Sequence, residues 1–341
     1  MKKKIYAVGI YKDGGLNILK KFIEKCDDET IFYLDERIRI KKTKNFFFLK
    51  NNFFIRFFLY VYLKINVKKE DHVLFFNGLP PIFNLNCEVS VIFQNANIFR
   101  NFYKIKFIDW LFSKDSLRYL IFNFGKKNVN NWYVLSPIAE KILKNKIKKY
   151  SNLKIIDIYS DYKYQTYNNT EKFQYDFIYP ASGLDHKNHE LLFDILISLS
   201  KKKIFPSVLL SLESQYFKKY KINKIKKLYN LKIENYFEID QEKFLNFYKK
   251  CKSLLYLSKN ETIGLPLLEA HKYGLIIVAP NLNYANQFIE PDYIFDINSK
   301  SELENIIIKI INGQYKKKSS KNNLFNLTDA INFEDFVKKI I

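Results

Sequence analysis

The stretch from Leu257 to Pro280, LSKNETIGLPLLEAHKYGLIIVAP, constrains the fold more than any other part of the chain. An apolar run, CKSLLYLS, ends at Ser258, and a short polar loop carrying Glu261 follows. Gly264 and Pro266 then open an expected helix, LPLLEAHKY, which Gly274 stops before a second apolar run, LIIVAP. Proline near a helix start and glycine just past its end suit the backbone at those positions. A strand-loop-helix-strand unit of this kind aims a helix N-terminus at the carboxyl edge of a parallel sheet, where open α/β folds bind ligands. The unpaired N–H groups and partial positive charge at that N-terminus suit a phosphate.

The same alternation recurs along the chain. KIYAVGI (4–10), TIFYLD (30–35), HVLFF (72–76), VSVIF (89–93) and WYVLS (132–136) read as strands. YKDGG (11–15) reads as a loop before an amphipathic helix, LNILKKFIEK. Residues 147–172 hold a basic stretch, the short apolar run LKIIDIYS and then a polar piece, DYKYQTYNNTEK (161–172), which reads as the interdomain linker. The pattern restarts with FQYDFIYPAS (173–182) and FPSVLLSLE (205–213), then a lysine-rich helix near 215–229 and a short strand in 233–240. QEKFLNFYKKC (241–251) is the expected helix leading into the central unit, and residues 299–314 form an expected closing helix. Two rounds of β-α-β alternation predict two doubly wound α/β domains.

Composition narrows the function classes. Four His, three Cys and one Met in 341 residues leave little material for a metal or redox centre. Cys26, Cys87 and Cys251 are far apart and no C-x-x-C pair occurs, which fits a reducing cytoplasm. The net charge of +22 points to anionic lipid or nucleic acid, or to a solvated lysine surface. No helix-turn-helix, RNP or zinc-finger pattern accompanies it, so no nucleic-acid partner is expected. No signal peptide and no spanning segment are read; the nearest apolar run, Phe53–Leu63, contains Arg56 and is too short. Residues 98–127 mix rings with cations, as in a helix lying at a bilayer interface or core-facing helices with snorkelling lysines.

Glu261 and Glu269 bracket the central unit with seven residues between them. E-x7-E followed by a small residue, a glycine and an apolar strand resembles the signature of the family-4 retaining glycosyltransferases of GT-B fold. ETIGLPLLEAHKYGLIIVAP matches it nearly position by position. The resemblance implies an α/β GT-B chain, two Rossmann-like domains facing a cleft. Residues 1–160 would form the acceptor-side domain and 161–326 the nucleotide-sugar-binding domain, with a helix in 327–341 packing back on the first. It further implies that Glu261 sits by the donor sugar, that Glu269 binds the ribose hydroxyls, and that the backbone of Ile263, Gly264 and Leu265 faces the diphosphate. A carboxylate can accept both hydrogen bonds of a vicinal diol, which agrees with the ribose assignment. Two surface glutamates on an ordinary helix are the bland alternative.

YPASGLDHKNHELL (179–192) resembles the phosphate-clamp loop of the same family. Lys187 matches the lysine that pairs with the donor diphosphate, and an ammonium at a helix start is a good point charge for phosphate. The commoner pattern has an arginine about five residues earlier, where this chain has Ser182; Ser182 and backbone amides would supply the second contact. The HKNH version resembles lipopolysaccharide and O-antigen glycosyltransferases, which implies a lipid-linked or lipopolysaccharide acceptor. Gly14 and Gly15 resemble the family's Gly-Gly loop that lines the cleft opposite the donor, which implies a part in donor binding; a plain turn is the alternative. Gln94, Asn95 and Arg100, in the loop after VSVIF, are candidate acceptor contacts, and Asn283 and Tyr284 are candidates near the donor.

The implied reaction moves a sugar from a nucleotide donor, UDP-sugar ahead of GDP-sugar, to an acceptor hydroxyl with retention. Lys187 and Glu261 would carry it with no protein nucleophile, no cofactor and no metal. His186 and His189 lack a third ligand at metal-binding spacing. The expected setting is the cytoplasm, with peripheral attachment to the inner face of the membrane. Rival readings are a basic nucleic-acid- or lipid-binding protein without catalysis, and another GT-B enzyme such as an epimerase or inverting transferase.

Overall fold

The computed structural model describes residues 2–11, 13–41, 43, 45–94, 96–99, 114–147, 152–159, 162, 173–237, 241–317 and 330–340. The chain divides into two compact units, Met1–Ile158 with Leu327–Ile341, and Tyr159–Asn326.

Unit 1 begins with β1 (Lys3–Ala7), α1 (Asp13–Lys25), β2 (Ile31–Asp35), β3 (Phe46–Leu49) and α2 (Phe53–Asn66). β4 (His72–Phe75), β5 (Glu88–Phe93), α3 (Lys114–Gly125), β6 (Asn131–Val134), α4 (Pro137–Ile147) and β7 (Asn152–Asp157) follow. β4 and β6 are buried at every position, as expected of parallel strands with both faces covered.

Unit 2 runs β8 (Tyr175–Tyr179), α5 (His189–Lys201), β9 (Ser207–Leu210), α6 (Ser214–Lys219), α7 (Ile222–Tyr229) and β10 (Lys232–Asn235). It continues with α8 (Gln241–Tyr248), β11 (Cys251–Leu255), α9 (Leu265–Lys272), β12 (Ile276–Pro280), β13 (Tyr293–Phe295) and α10 (Lys300–Ile311). The chain then returns to unit 1 as β14 (Ile331–Asn332) and α11 (Phe333–Ile340).

Both sheets are parallel. Unit 1 has the order β14-β7-β6-β5-β4-β1-β2-β3 and unit 2 the order β10-β9-β8-β11-β12-β13. In each, the first strand lies beside the fourth, the topological switch point of a doubly wound fold. Register fixes the pairing there: Ser253 opposes Phe177 and Leu254 opposes Ile178. The tail closes unit 1: β14 pairs with β7, and Phe336 packs on Phe22 and Tyr133 at ring distances of 5.8 and 4.7 Å.

Three local expectations change, and one apolar run gains a role. Gly14 and Gly15 stand in the first turn of α1, not in a loop, because the amphipathic pattern that buries Ile18, Leu19 and Phe22 carries back through them. The short apolar run LKIIDIYS supplies β7, beside β6 with Val134 opposite Ile155. The helix expected at 215–229 breaks at Lys221, whose φ of 51° is left-handed. The helix expected to run to Cys251 ends at Tyr248, and Cys251 begins β11. Asn95 and Arg100, and residues 101–113 of the aromatic basic segment, lie outside the described residues.

Candidate active site

In unit 2 the loops after β8 and β11 leave neighbouring strands at the switch point, and they are tied to one another. The His186 carbonyl accepts from the Lys259 amide at 2.7 Å and from Ser258 Oγ at 3.2 Å. Tyr179 Oη, from the end of β8, donates to the Lys187 carbonyl. Asn188, at a left-handed φ of 61°, turns the chain from the short turn Asp185–Lys187 into α5. The result is direct contact between two residues distant in sequence: Lys187 Nζ donates to Glu261 Oε1 at 2.5 Å, both side chains about 15% exposed (15% and 14%). The Tyr256 ring lies beneath, 5.8 Å from the ammonium.

The preceding turn has a glycine that nothing can replace without movement. A Cβ on Gly183 would stand 1.9 Å from Tyr216 Cγ, and the Gly183 amide donates to Glu213 Oε2 at 2.9 Å. His189 Nε2 donates to the Ser182 carbonyl at 2.9 Å, which holds the half-buried Ser182 in place. Burial pushes the His189 pKa down, and its Nδ1 is buried without a partner among the described residues. His186 is held below its usual range by burial and by the Lys187 charge. Both imidazoles are therefore neutral near pH 7.

The other half of the site is the start of α9. Gly264, at φ 78°, occupies the N-cap, so no side chain caps the first N–H groups. Gln287 Nε2 donates to the carbonyls of Thr262 and Ile263, 2.9 Å each, and fixes the approach to Leu265. Tyr284, a candidate donor contact in the sequence, is buried and donates to the Ser258 carbonyl at 2.6 Å, so it supports the loop from beneath. Glu269 lies just past the first turn, only 8% exposed, and accepts from Tyr248 Oη at 2.6 Å. Burial raises the Tyr248, Tyr256 and Tyr179 phenols well above their ordinary value, so all three stay protonated.

Ser182, Lys187, Glu261, Ile263, Gly264, Leu265 and Glu269 thus belong to two adjoining loops and one helix start, all within unit 2. Chemically the group offers an ammonium, uncapped amides, and two carboxyls, one in the loop and one on the helix. That set can hold a diphosphate and a pair of hydroxyls. Gln287 had no sequence signal, because its partners are backbone carbonyls 24 and 25 residues away. Tyr248 had one: it follows Phe244 by four residues on the inner face of α8, and a buried phenol needs a partner.

Unit 1 has its own cluster at the switch between β1 and β4. A Cβ on Gly15 would lie 3.0 Å from Gln94 Oε1, so these two candidates meet. Gln94 Nε2 donates to the Phe76 carbonyl at 3.2 Å. Arg56 Nη2 and Asn77 Nδ2 each donate to the Val8 carbonyl at 3.1 Å, and the Gly9 amide donates to Asp35 Oδ2 at 2.9 Å. Sequence reasoning assigned none of Arg56, Asn77 and Asp35 to this edge.

Residues 164–324 match the family described as glycosyl transferases group 1. The search of curated proteins finds no match. Among solved structures, the chain is similar to sucrose-phosphate synthase from Thermosynechococcus elongatus, with a TM-score of 0.69, 14% identity, and 100% of this chain and 97% of that one covered. It is similar to Anabaena Alr3699/HepE in complex with UDP-glucose, with a TM-score of 0.69 and 13% identity over 100% and 98% of the two chains. It is also similar to WaaG, a glycosyltransferase involved in lipopolysaccharide biosynthesis, with a TM-score of 0.65 and 15% identity over 91% and 90%. The chain has the GT-B fold, and its C-terminal unit carries the match to the glycosyl transferases group 1 family.

Proposed function

We propose that this protein is a retaining glycosyltransferase that moves a sugar from a nucleotide donor, UDP-sugar ahead of GDP-sugar, to a hydroxyl of a lipid-linked or lipopolysaccharide acceptor. The observation that carries the reading is the Lys187–Glu261 contact beside the uncapped start of α9, with Glu269 further along the same helix. Lys187 and the α9 amides would hold the diphosphate and stabilise the charge it gains as the sugar departs. Glu261 would exchange its ammonium partner for the donor sugar, and Glu269 would take the ribose hydroxyls. The leaving phosphate would help deprotonate the acceptor on the same face, so the transfer needs no protein nucleophile, metal or cofactor. Gly14 and Gly15 would join in donor binding, and Gln94 would serve the acceptor side. Anabaena HepE, crystallised with UDP-glucose, and WaaG, which acts in lipopolysaccharide biosynthesis, support the choice of donor and acceptor class. The proposed setting is the inner face of the cytoplasmic membrane, held peripherally.

The test is thermal unfolding with UDP, GDP, ADP and CDP. A nucleotide at about 100 times its dissociation constant adds about 2.7 kcal/mol of stability. UDP is expected to raise the midpoint by several degrees, and Lys187→Ala and Glu269→Gln to abolish the rise. Glu269→Gln keeps an acceptor for Tyr248 and so preserves the fold. No shift with any nucleotide, in a protein that is folded, would end this reading.

A further inference from the structure

The helix α2 is apolar on both sides. Its inner side buries Leu59, Tyr60 and Leu63, and Tyr60 packs on Tyr6 and Phe75 at 5.7 and 5.9 Å. Its outer side presents Phe54, Phe58, Tyr62 and Ile65, at i, i+4, i+8 and i+11, exposed by 70, 66, 49 and 74%. Solvent-facing helix positions are ordinarily polar. The face continues onto α3 of the same unit, where Leu117, Leu120 and Phe124 form a second exposed stripe. A cavity of about 400 Å³ lies between the two helices, walled by Phe53, Phe57, Tyr60 and Leu117 with Arg56 and Arg118. Phe53, Phe57 and Leu117 are themselves exposed, so the cavity opens on this face.

Charge decides what covers it. From Lys50 to Lys69 the chain carries five cations (Lys50, Arg56, Lys64, Lys68, Lys69) and no carboxylate. A second copy of the face would set cations against cations, which opposes association. An anionic bilayer surface complements both the charge and the rings. Fourteen residues of helix span about 21 Å, short of the roughly 30 Å hydrocarbon core, so α2 would lie along the surface. None of the described helices is long and apolar enough to cross a membrane.

We propose that the outer face of α2, with the adjoining stripe of α3, inserts into the interface of an anionic bilayer, lipid phosphates meeting the guanidinium groups at the cavity mouth. This gives the peripheral setting suggested above a location in the fold, and it rests on the transferase reading only for its purpose, delivery of a lipid-anchored acceptor. Of the aromatic segment 98–127 it uses the α3 part, with Leu117, Leu120 and Phe124.

Vesicle co-sedimentation of the full chain tests it. Phosphatidylglycerol/phosphatidylcholine vesicles should capture the protein and pure phosphatidylcholine should not. Phe54→Ser with Phe58→Ser should weaken capture about tenfold or more, as expected for two rings withdrawn from an apolar surround. Lys68→Glu with Lys69→Glu should weaken it and flatten its salt dependence. The thermal midpoint and the UDP-induced shift should stay at wild-type values in both variants. Equal capture by both vesicle types, or capture untouched by the ring variant, overturns the proposal. So does a concentration-dependent dimer that the ring variant dissolves, which would make a second copy the occupant. Loss of vesicle binding with the UDP shift intact refutes only the docking; vesicle binding without any UDP shift refutes only the transferase reading.

Discussion

Tyr248 lies wholly inside unit 2, stacked 5.8 Å from Tyr273, and its hydroxyl meets the carboxyl of Glu269. The phenol is raised first by burial and then by that carboxyl, so it cannot ionise and release the contact. Without the hydroxyl, a buried acceptor loses a donor in a place water does not reach. Tyr248→Phe is therefore expected to cost about 1–3 kcal/mol of stability, read as a lower urea midpoint. If Tyr248 also aims Glu269 at a ribose, UDP affinity should fall by more than the small stability loss explains. A lower midpoint with unchanged UDP affinity would leave Tyr248 a purely structural residue.

At the scale of elements, the site depends on how α9 begins. Gly264 holds a left-handed φ of 78°, and a Cβ there would come within 3.1 Å of Leu267 Cδ1. A left-handed conformation costs an L-residue about 1–2 kcal/mol, so Gly264→Ala should lower stability by about that much. It should weaken UDP binding further, because the strain is relieved by tilting the amides that would face the diphosphate. Binding that tracks stability alone would mean that those amides carry no ligand. The central unit was legible because a five-residue apolar strand, a glycine, a proline and a terminal glycine each restrict the backbone locally. The break at Lys221 was not, since a lysine at positive φ contradicts its own preference and is imposed by packing. β7 was hidden for another reason: IIDI is too short to show which sheet it joins. Lys187 and Glu261 could be singled out from their motifs, but not their contact, which the His186 carbonyl brings about across 74 residues.

The whole molecule concentrates its histidines in apolar surroundings. All four, His72, His186, His189 and His271, are depressed below 6.5, and burial is the leading cause in each. Between the folded values and 6.5 the unfolded chain binds more protons than the folded one, so stability must fall as pH drops from about 6.5. The carboxylates act in a lower window. Burial alone would raise Asp71, but the Lys4 ammonium at 2.5 Å and the Lys2 and Lys68 amides bring it below its usual 3.8. Asp35 is likewise lowered, against its burial, by the Arg37 fork. Their stabilisation is complete above the ordinary carboxylate range and disappears as pH falls through the depressed folded values. Unfolding measured from about pH 8 downward should thus show a plateau, a first decline beginning near 6.5 and a second below about 4. The charge of +22 adds repulsion that also grows on acidification, but salt separates the two causes. Repulsion between exposed lysines is screened over about 10 Å at 0.1 M, whereas desolvation of a buried imidazole is not. The first decline should therefore survive added salt, and its disappearance there would assign it to lysine repulsion instead of the histidines.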